Sequence, residues 1–196
     1  MTRVAPVPRP FFGRSGPEVA PELLNKLLVR GDRVGRIVEV EAYAGAVDPA
    51  SHAFRGRTAR NATMFGPPGH LYVYFTYGMH FCANVVCGAE GEATAVLLRA
   101  LTAVGGIEEM RAARGPAARR DRDLCSGPGK VCQAFGIDRG LDGADLVTAD
   151  LGVAVADDGT PPPAQPGVSG RIGISVAADV RWRFYVAGAT GLSRSS

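Results

Sequence analysis

Apolar and polar positions alternate at a period of two in several stretches of this chain, and those stretches predict its strands. The first, Arg36 to Tyr43 (RIVEVEAY), is a short β-branched run bounded by Gly35 and Gly45. Alternation sends Glu39, Glu41 and Tyr43 to one face and Val38, Val40 and Ala42 to the other, so two carboxylates and a phenol share a surface. The second, Leu71 to Asn84 (LYVYFTYGMHFCAN), extends through Val85 to Cys87 and sets Tyr72 and Tyr74 opposite Val73, Phe75 and Tyr77. Gly78 interrupts it, which predicts a bulge or close backbone approach that turns Tyr77 outward. A third run, Thr94 to Leu101 (TAVLLRAL), is apolar except near its end, at Arg99. A buried guanidinium needs partners, and Glu39 and Glu41 are the candidates if these strands adjoin.

Helical spacing appears elsewhere. Leu23, Leu24, Leu27 and Leu28 predict a core-packing helix that begins at Pro17, carries Pro21 in its first turn and ends at Gly31. Gly106 to Arg114 predicts another, with Glu108 placed to pair with Arg111. Met64 to Gly69 reads as a tight turn, and Ser126 to Lys130 (SGPGK) as a turn opening onto a helix through VCQAF. Ser126 is there either a plain N-cap, or part of a phosphate seat made by the helix amides and Lys130. Residues 138–146 form a turn-rich connection and 157–167 a flexible surface loop. Arg171 to Ser175 and Trp182 to Val186 alternate as closing strands. Residues 1–10, with three prolines and two arginines, read as an extended arm pinned by Phe11 and Phe12, and residues 11–196 as a single α+β domain.

A chain of 196 residues buries about 70% of the surface its unfolded form exposes, so no staple is required. The net charge of +3 is too weak by itself to establish a nucleic-acid partner. Lysine occurs only at positions 26 and 130, an arginine bias explained by high genomic G+C content or by arginine's fit to phosphate. Cys82, Cys87, Cys125 and Cys132 match no zinc or disulfide spacing and read as free buried thiols. No metal or cofactor is expected. The N-terminus lacks the core of a signal peptide and no apolar run approaches about 18 residues, so a soluble, cytoplasmic protein with no membrane partner is expected.

Between the first two strands, residues 51–61 (SHAFRGRTARN) carry His52, Arg55, Arg57 and Arg60 and no acid, which suits a polyanion. Gathered into one cleft, Glu41, Tyr43, His52, Tyr74, Tyr77 and Arg99 would suit a damaged base. Aromatic faces stack on heterocycles for about 1–3 kcal/mol per base, and a cationic alkylpurine adds a cation–π attraction of about 0.5–2 kcal/mol. Chemistry on a base inside a duplex requires extrusion, with a bulky side chain filling the vacated stack; Tyr77 is the candidate wedge. Glu41 is the candidate general base, taking a proton from water that attacks the sugar. Against this stand plain alternatives: solvated strand carboxylates, sheet-surface tyrosines, a catalytically dead nucleic-acid-binding module, or a hydrolase of free nucleosides, which would need no wedge.

RIVEVEAY from Arg36, His52 ahead of the arginine-rich stretch, GHLYVYFTYGMHFCAN from Gly69, VLLRAL from Val96, DLCSGPGK from Asp123 and RFYV from Arg183 occur in order. Together they resemble the alkyladenine (3-methyladenine) DNA glycosylase family, unrelated to the helix-hairpin-helix glycosylases, from about Phe11 to Gly188. The resemblance implies one α+β domain with a curved, mainly antiparallel sheet flanked by helices. It implies a monofunctional, metal-free enzyme that leaves an abasic site in double-stranded DNA, working as a monomer in a bacterial cytoplasm and associated with the nucleoid when on DNA. Glu41 falls on the family's general base and Arg99 on the arginine that holds the water. Tyr43 and His52 match residues lining one side of the flipped base, Tyr74 the one opposite, and Asn84 a pocket side chain that clashes with the 2-amino group of normal guanine. Tyr77 is the inserted residue, with Met79, Arg57, Arg60 and Lys130 expected to touch DNA. Neutral hypoxanthine would need protonation as it leaves, so cationic 3-methyl- and 7-methylpurines are the general substrates expected, with hypoxanthine and ethenoadenine the open cases. His80 and Gly129 depart from the family pattern.

Overall fold

The computed structural model describes residues 4–193. Nine strands form one curled antiparallel sheet: β1 (Ala5–Pro6), β2 (Leu27–Arg30), β3 (Arg33–Ala44), β4 (Leu71–Thr76), β5 (His80–Cys87), β6 (Thr94–Gly105), β7 (Val153–Asp157), β8 (Gly167–Ser169) and β9 (Arg183–Tyr185). Their order is β1-β7-β2-β3-β6-β5-β4, with β9 joined to β3 and β8. Four helices accompany them: α1 (Arg9–Phe12), α2 (Gly16–Leu23), α3 (Ile107–Arg114) and α4 (Pro128–Phe135). This is the α+β architecture with a curved antiparallel sheet that the chain's motifs lead one to expect. Helix α2 packs on β3 and β6, α4 on β5 and β6, and α3 on α4.

Strand β3 organises the sheet. It pairs with β6 along one side, and on the other with β2 at its start and with β9 at Glu39–Glu41. Its register with β6 shifts around Val38: Ile37 faces Leu101, whereas Glu39 faces Ala100. The extra residue is a bulge, and it inverts the parity of the strand. Ile37 therefore shares the main core with Val40 and Ala42, where strict alternation assigned Val38 to that face. Glu39 and Glu41 are left together on the opposite side. The core also takes Leu71, Val73, Leu98, Leu101 and Phe135, all at most 2% exposed, each contributing roughly 1.5–3 kcal/mol by burial.

Several expected elements differ. The helix from Pro17 stops at Leu23 rather than Gly31, and Pro21 lies inside it rather than in its first turn. Asn25 then turns left-handed (φ 69°) and Leu27 and Leu28 enter strand β2. Their apolar spacing satisfies a buried strand as well as a helix. The stretch from Leu71 to Asn84 is two strands, not one: Gly78 belongs to a hairpin turn, not a bulge. Arg171 to Ser175 forms bends instead of a strand, and only Arg183–Tyr185 of the last stretch is a strand. Gly127, not Ser126, is the N-cap of α4. Of the expected N-terminal arm, residues 1–3 lie outside the described residues; Ala5–Pro6 pairs with β7, and Arg9 opens α1. Phe12 is fully buried, with the Phe11 ring edge-on at 5.1 Å. Strands β1, β2, β7 and β8 were not legible in the pattern.

Candidate active site

Adjacency of β3 and β6 puts Glu41 opposite Leu97 and Glu39 opposite Ala100, so Arg99, projecting between them, meets both carboxylates. Arg99 Nε donates to Glu39 Oε1 at 3.0 Å and its NH1 stands 3.2 Å from Glu41 Oε1. Both carboxylates are 0% exposed and Arg99 only 6%. Glu39 also accepts from Arg183 Nε at 2.7 Å and from the Ser193 amide at 2.5 Å. Burial pushes the Glu39 carboxyl up, but bonds from Ser193 and Arg183, together with the charge on Arg99, outweigh it and hold its pKa below the usual range. Glu39 thus remains the counter-ion on one side of Arg99, while Glu41 takes the other.

Glu41 is tightly held. Tyr43 donates its hydroxyl to Oε2 at 3.0 Å and the Ile172 amide donates to Oε1 at 2.7 Å. A carboxylate offers about four lone-pair positions; these two hydrogen bonds occupy two, and Arg99 adds a charge contact at 3.2 Å. Burial first, then the charge and hydrogen bond of Glu41, raise the Tyr43 pKa, so its phenol keeps the proton it donates.

Against this cluster lies a cavity of about 220 Å³. That is below the roughly 300–1,000 Å³ of drug-sized ligand sites and suits a single heterocycle. Tyr43, His52, Tyr74, Asn84 and Arg99 all line it, as do Cys82 and Ile172. Glu41 is not among the lining residues, but its partners Tyr43, Arg99 and Ile172 are. The rings of Tyr72 and Tyr74 stack at 5.6 Å, and His52 meets Tyr74 edge-on at 4.5 Å. His52 Nδ1 lies 3.2 Å from the Tyr72 hydroxyl. Packing against these rings, and next the charge on Arg60, lowers the His52 pKa, while burial pushes Tyr72 up to about 12. A neutral imidazole and a protonated phenol therefore share this hydrogen bond at neutral pH, the imidazole tautomer deciding which of them donates. Asn84 is oriented by its Nδ2, which donates to Tyr72 O at 3.2 Å.

At the rim, Tyr77 (φ 51°) and Gly78 (φ 67°) fill the centre of a turn closed by Met79 N–H to Thr76 O at 3.2 Å. Two positive φ values mark a primed hairpin turn, whose twist matches its strands. A tyrosine in that conformation is unusual, and here the ring is 80% exposed, with Met79 68% exposed. Arg60 donates to Phe75 O at 3.1 Å and lies 5.9 Å over the Tyr74 ring; Arg57 is exposed on the same loop. Lys130 is exposed at α4 and donates to Ser126 Oγ at 3.0 Å. The two departures touch: a Cβ on Gly129 would stand 3.0 Å from His80 Cγ, so glycine at 129 makes room for that imidazole.

Sequence reasoning missed the contact of Arg183 with Glu39, and the buried pair Asp48 with Arg171 at 2.5 and 2.9 Å. The Asp48–Arg171 pair spans 123 residues, and no local pattern signals it. Arg99 between Glu39 and Glu41 was anticipated. All four cysteines are free and buried. Among the described residues, no group of His, Cys, Asp and Glu gathers as a metal site, and no helix is long and apolar enough to cross a membrane.

Comparison with known proteins places the chain in a family. The family model described as Methylpurine-DNA glycosylase (MPG) matches residues 10–190. A protein of Burkholderia lata whose name includes the words 3-methyladenine DNA glycosylase is 60% identical over 185 residues, covering 94% of this chain and 89% of its own. Similarly named proteins of Streptomyces avermitilis and Carboxydothermus hydrogenoformans are 50% and 47% identical, covering 92% of this chain each and 87% and 94% of their own.

Proposed function

The chain belongs to the methylpurine-DNA glycosylase family, and we propose that it turns alkylated purines out of duplex DNA and hydrolyses their N-glycosidic bond with water activated by Glu41. It is a 3-methyladenine DNA glycosylase that acts in DNA repair. The observation that carries the mechanism is the fully buried Glu41 carboxylate, whose three partners Tyr43, Ile172 and Arg99 all line a cavity sized for one base. The 11–196 domain supplies the whole reaction, as a monomer, without metal or cofactor, in the cytoplasm and on the nucleoid when DNA-bound.

The extruded purine stacks between Tyr74 and the Tyr43 and His52 side, and Asn84 disfavours normal guanine at its 2-amino group, a cost that 7-methylguanine offsets by being a cationic, better leaving group. Water takes an acceptor position on Glu41 that Tyr43 and Ile172 leave open, and Arg99 orients it. As the water oxygen bonds to C1′, its proton passes to Glu41. The glycosidic bond breaks with its electron pair going to N9, which neutralises a cationic lesion base. Such a base is already a good leaving group, so holding it and placing water suffices. Hypoxanthine leaves as an anion unless protonated and should be slower.

Met79, Arg57, Arg60 and Lys130 contact the DNA, and Tyr77 at the hairpin tip fills the gap left by the base. Tyr77→Ser should weaken lesion-duplex binding about 10- to 100-fold, in keeping with roughly 1–3 kcal/mol per stacked base. Binding to the same lesion in a single strand should stay within about threefold, since no gap needs filling. Equal losses on both would contradict the wedge. The function itself is tested by incubating the protein, without added metal, on duplexes each carrying 3-methyladenine, 7-methylguanine, hypoxanthine or ethenoadenine. Free base and alkali-labile sites are expected from the cationic lesions first; binding without base release would instead indicate an inactive DNA-binding module.

A further inference from the structure

The wall of the cavity from Ile172 to Ile174 has no regular secondary structure, yet its first amide grips the Glu41 carboxylate at 2.7 Å. The preceding residue explains how an irregular segment holds that position. Arg171 is buried, its side chain 0% exposed. Its NH1 and NH2 fork onto Asp48 at 2.5 and 2.9 Å, and NH1 also donates to Ala42 O at 3.1 Å, fixing the backbone between Glu41 and Tyr43. The guanidinium lies 4.8 Å over the Tyr43 ring and 5.4 Å over Trp182. Asp48 in turn accepts from the Ala44 and Ala50 amides at 3.2 and 3.1 Å, which ties the pair to the end of β3.

Both Glu41 oxygens are therefore held by groups that Arg171 orients: the Tyr43 hydroxyl on one and the Ile172 amide on the other. Buried ion pairs are seldom more stabilising than apolar residues of similar volume. Arg171 Nε, moreover, has no hydrogen-bond partner among the described residues. Stability alone is a poor reason for such a pair at this place.

Taking Glu41 as the base, a reading on which this rests, we propose that Arg171 and Asp48 are positioning residues for base excision, setting the Glu41 carboxylate and the Tyr43 ring relative to the cavity. Losing the fork should slow cleavage more than it weakens lesion binding. Displacement of a reacting group by about 1 Å costs on the order of 100-fold in rate.

Arg171→Lys keeps the charge opposite Asp48 but removes the planar fork. The double variant Asp48→Asn with Arg171→Gln removes both charges and so buries no unpaired ion. Single-turnover excision of 7-methylguanine from a duplex is measured for both, per molecule competent to bind that duplex, so that misfolded protein drops out. The expected result is a rate loss of about tenfold or more in each, with duplex affinity within about threefold of the parent. A smaller rate loss in either, or a loss of affinity matching the loss of rate, overturns the proposal. Glu41→Gln is assayed alongside. If it is inactive while the Arg171 variants excise normally, only the positioning role fails; if it excises normally, the assignment of the base fails with it.

Discussion

Glu41→Gln should abolish base release while leaving the protein folded and able to find lesions. The amide keeps the shape of the carboxylate. Its oxygen can still accept from the Ile172 amide, and its nitrogen can donate to the Tyr43 hydroxyl, which rotates to receive it. Arg99 keeps Glu39 as counter-ion. What is lost is the capacity to take a proton from water, and positioned general bases contribute about 10²- to 10⁴-fold. Single-turnover excision of 7-methylguanine should fall by at least about 100-fold, or roughly 2.7 kcal/mol in the barrier. Affinity for the lesion duplex should stay within about tenfold, because only an interaction made in the transition state is removed. An unchanged single-turnover rate would sink the assignment.

The second large effect is on stability. Glu39 is fully buried and accepts from Arg99, Arg183 and Ser193. Glu39→Gln leaves Arg183 without a carboxylate partner among the described residues and Arg99 with Glu41 alone. Breaking a buried pair costs about 3–5 kcal/mol; the surviving Glu41 contact argues for the lower end. For a domain of this size that lowers Tm by roughly 6–12 °C at neutral pH, measurable by thermal unfolding. The effect depends on pH. The Glu39 carboxyl sits below the ordinary glutamate value near 4.3 when folded, so its stabilisation is complete above that value and is lost as pH falls through the lower, folded pKa. Parent and variant should therefore converge in stability well below pH 4. A constant gap from pH 7 to pH 3 would show that the ionised carboxylate is not what matters.

Much of this site could be read in the chain before any coordinates. The run from Arg36 to Tyr43 announced a strand carrying two carboxylates, and the arginine in an apolar strand demanded them as partners. Both inferences are local, resting on alternation and on the cost of an unpaired buried charge. The bulge at Val38 was beyond reach, because one extra residue changes which side chains face the core without altering composition. Gly78 punctuates a strand whether it makes a bulge or a turn, and only the pairing of Thr76 with His80 decides for the turn. Leu27 and Leu28 suit either a helix or a buried strand until Asn25 breaks the chain direction. The Asp48–Arg171 pair joins residues 123 apart in sequence, and no periodicity reports a contact of that range. Alternation in Arg171 to Ser175 was misleading for a related reason. Those residues answer to the ion pair and the cavity, not to a neighbouring strand.

Gly45 shows how firmly the turn after β3 is set. It has φ 62°, and any side chain would collide with the Glu92 carbonyl. The turn leads into Asp48 and then His52, so the carboxylate strand and the aromatic wall of the cavity are held in register by a residue that does no chemistry.

The arrangement at position 41 is most directly tested by the structure of the Glu41→Gln protein bound to a duplex carrying one intact 7-methylguanine. The lesion should lie in the cavity beside Tyr43, His52 and Tyr74, with Tyr77 in the vacated stack. Its C1′ should face residue 41 across one water, about 3 Å from each. A lesion still stacked in the helix, or an anomeric carbon turned away from residue 41, would contradict it.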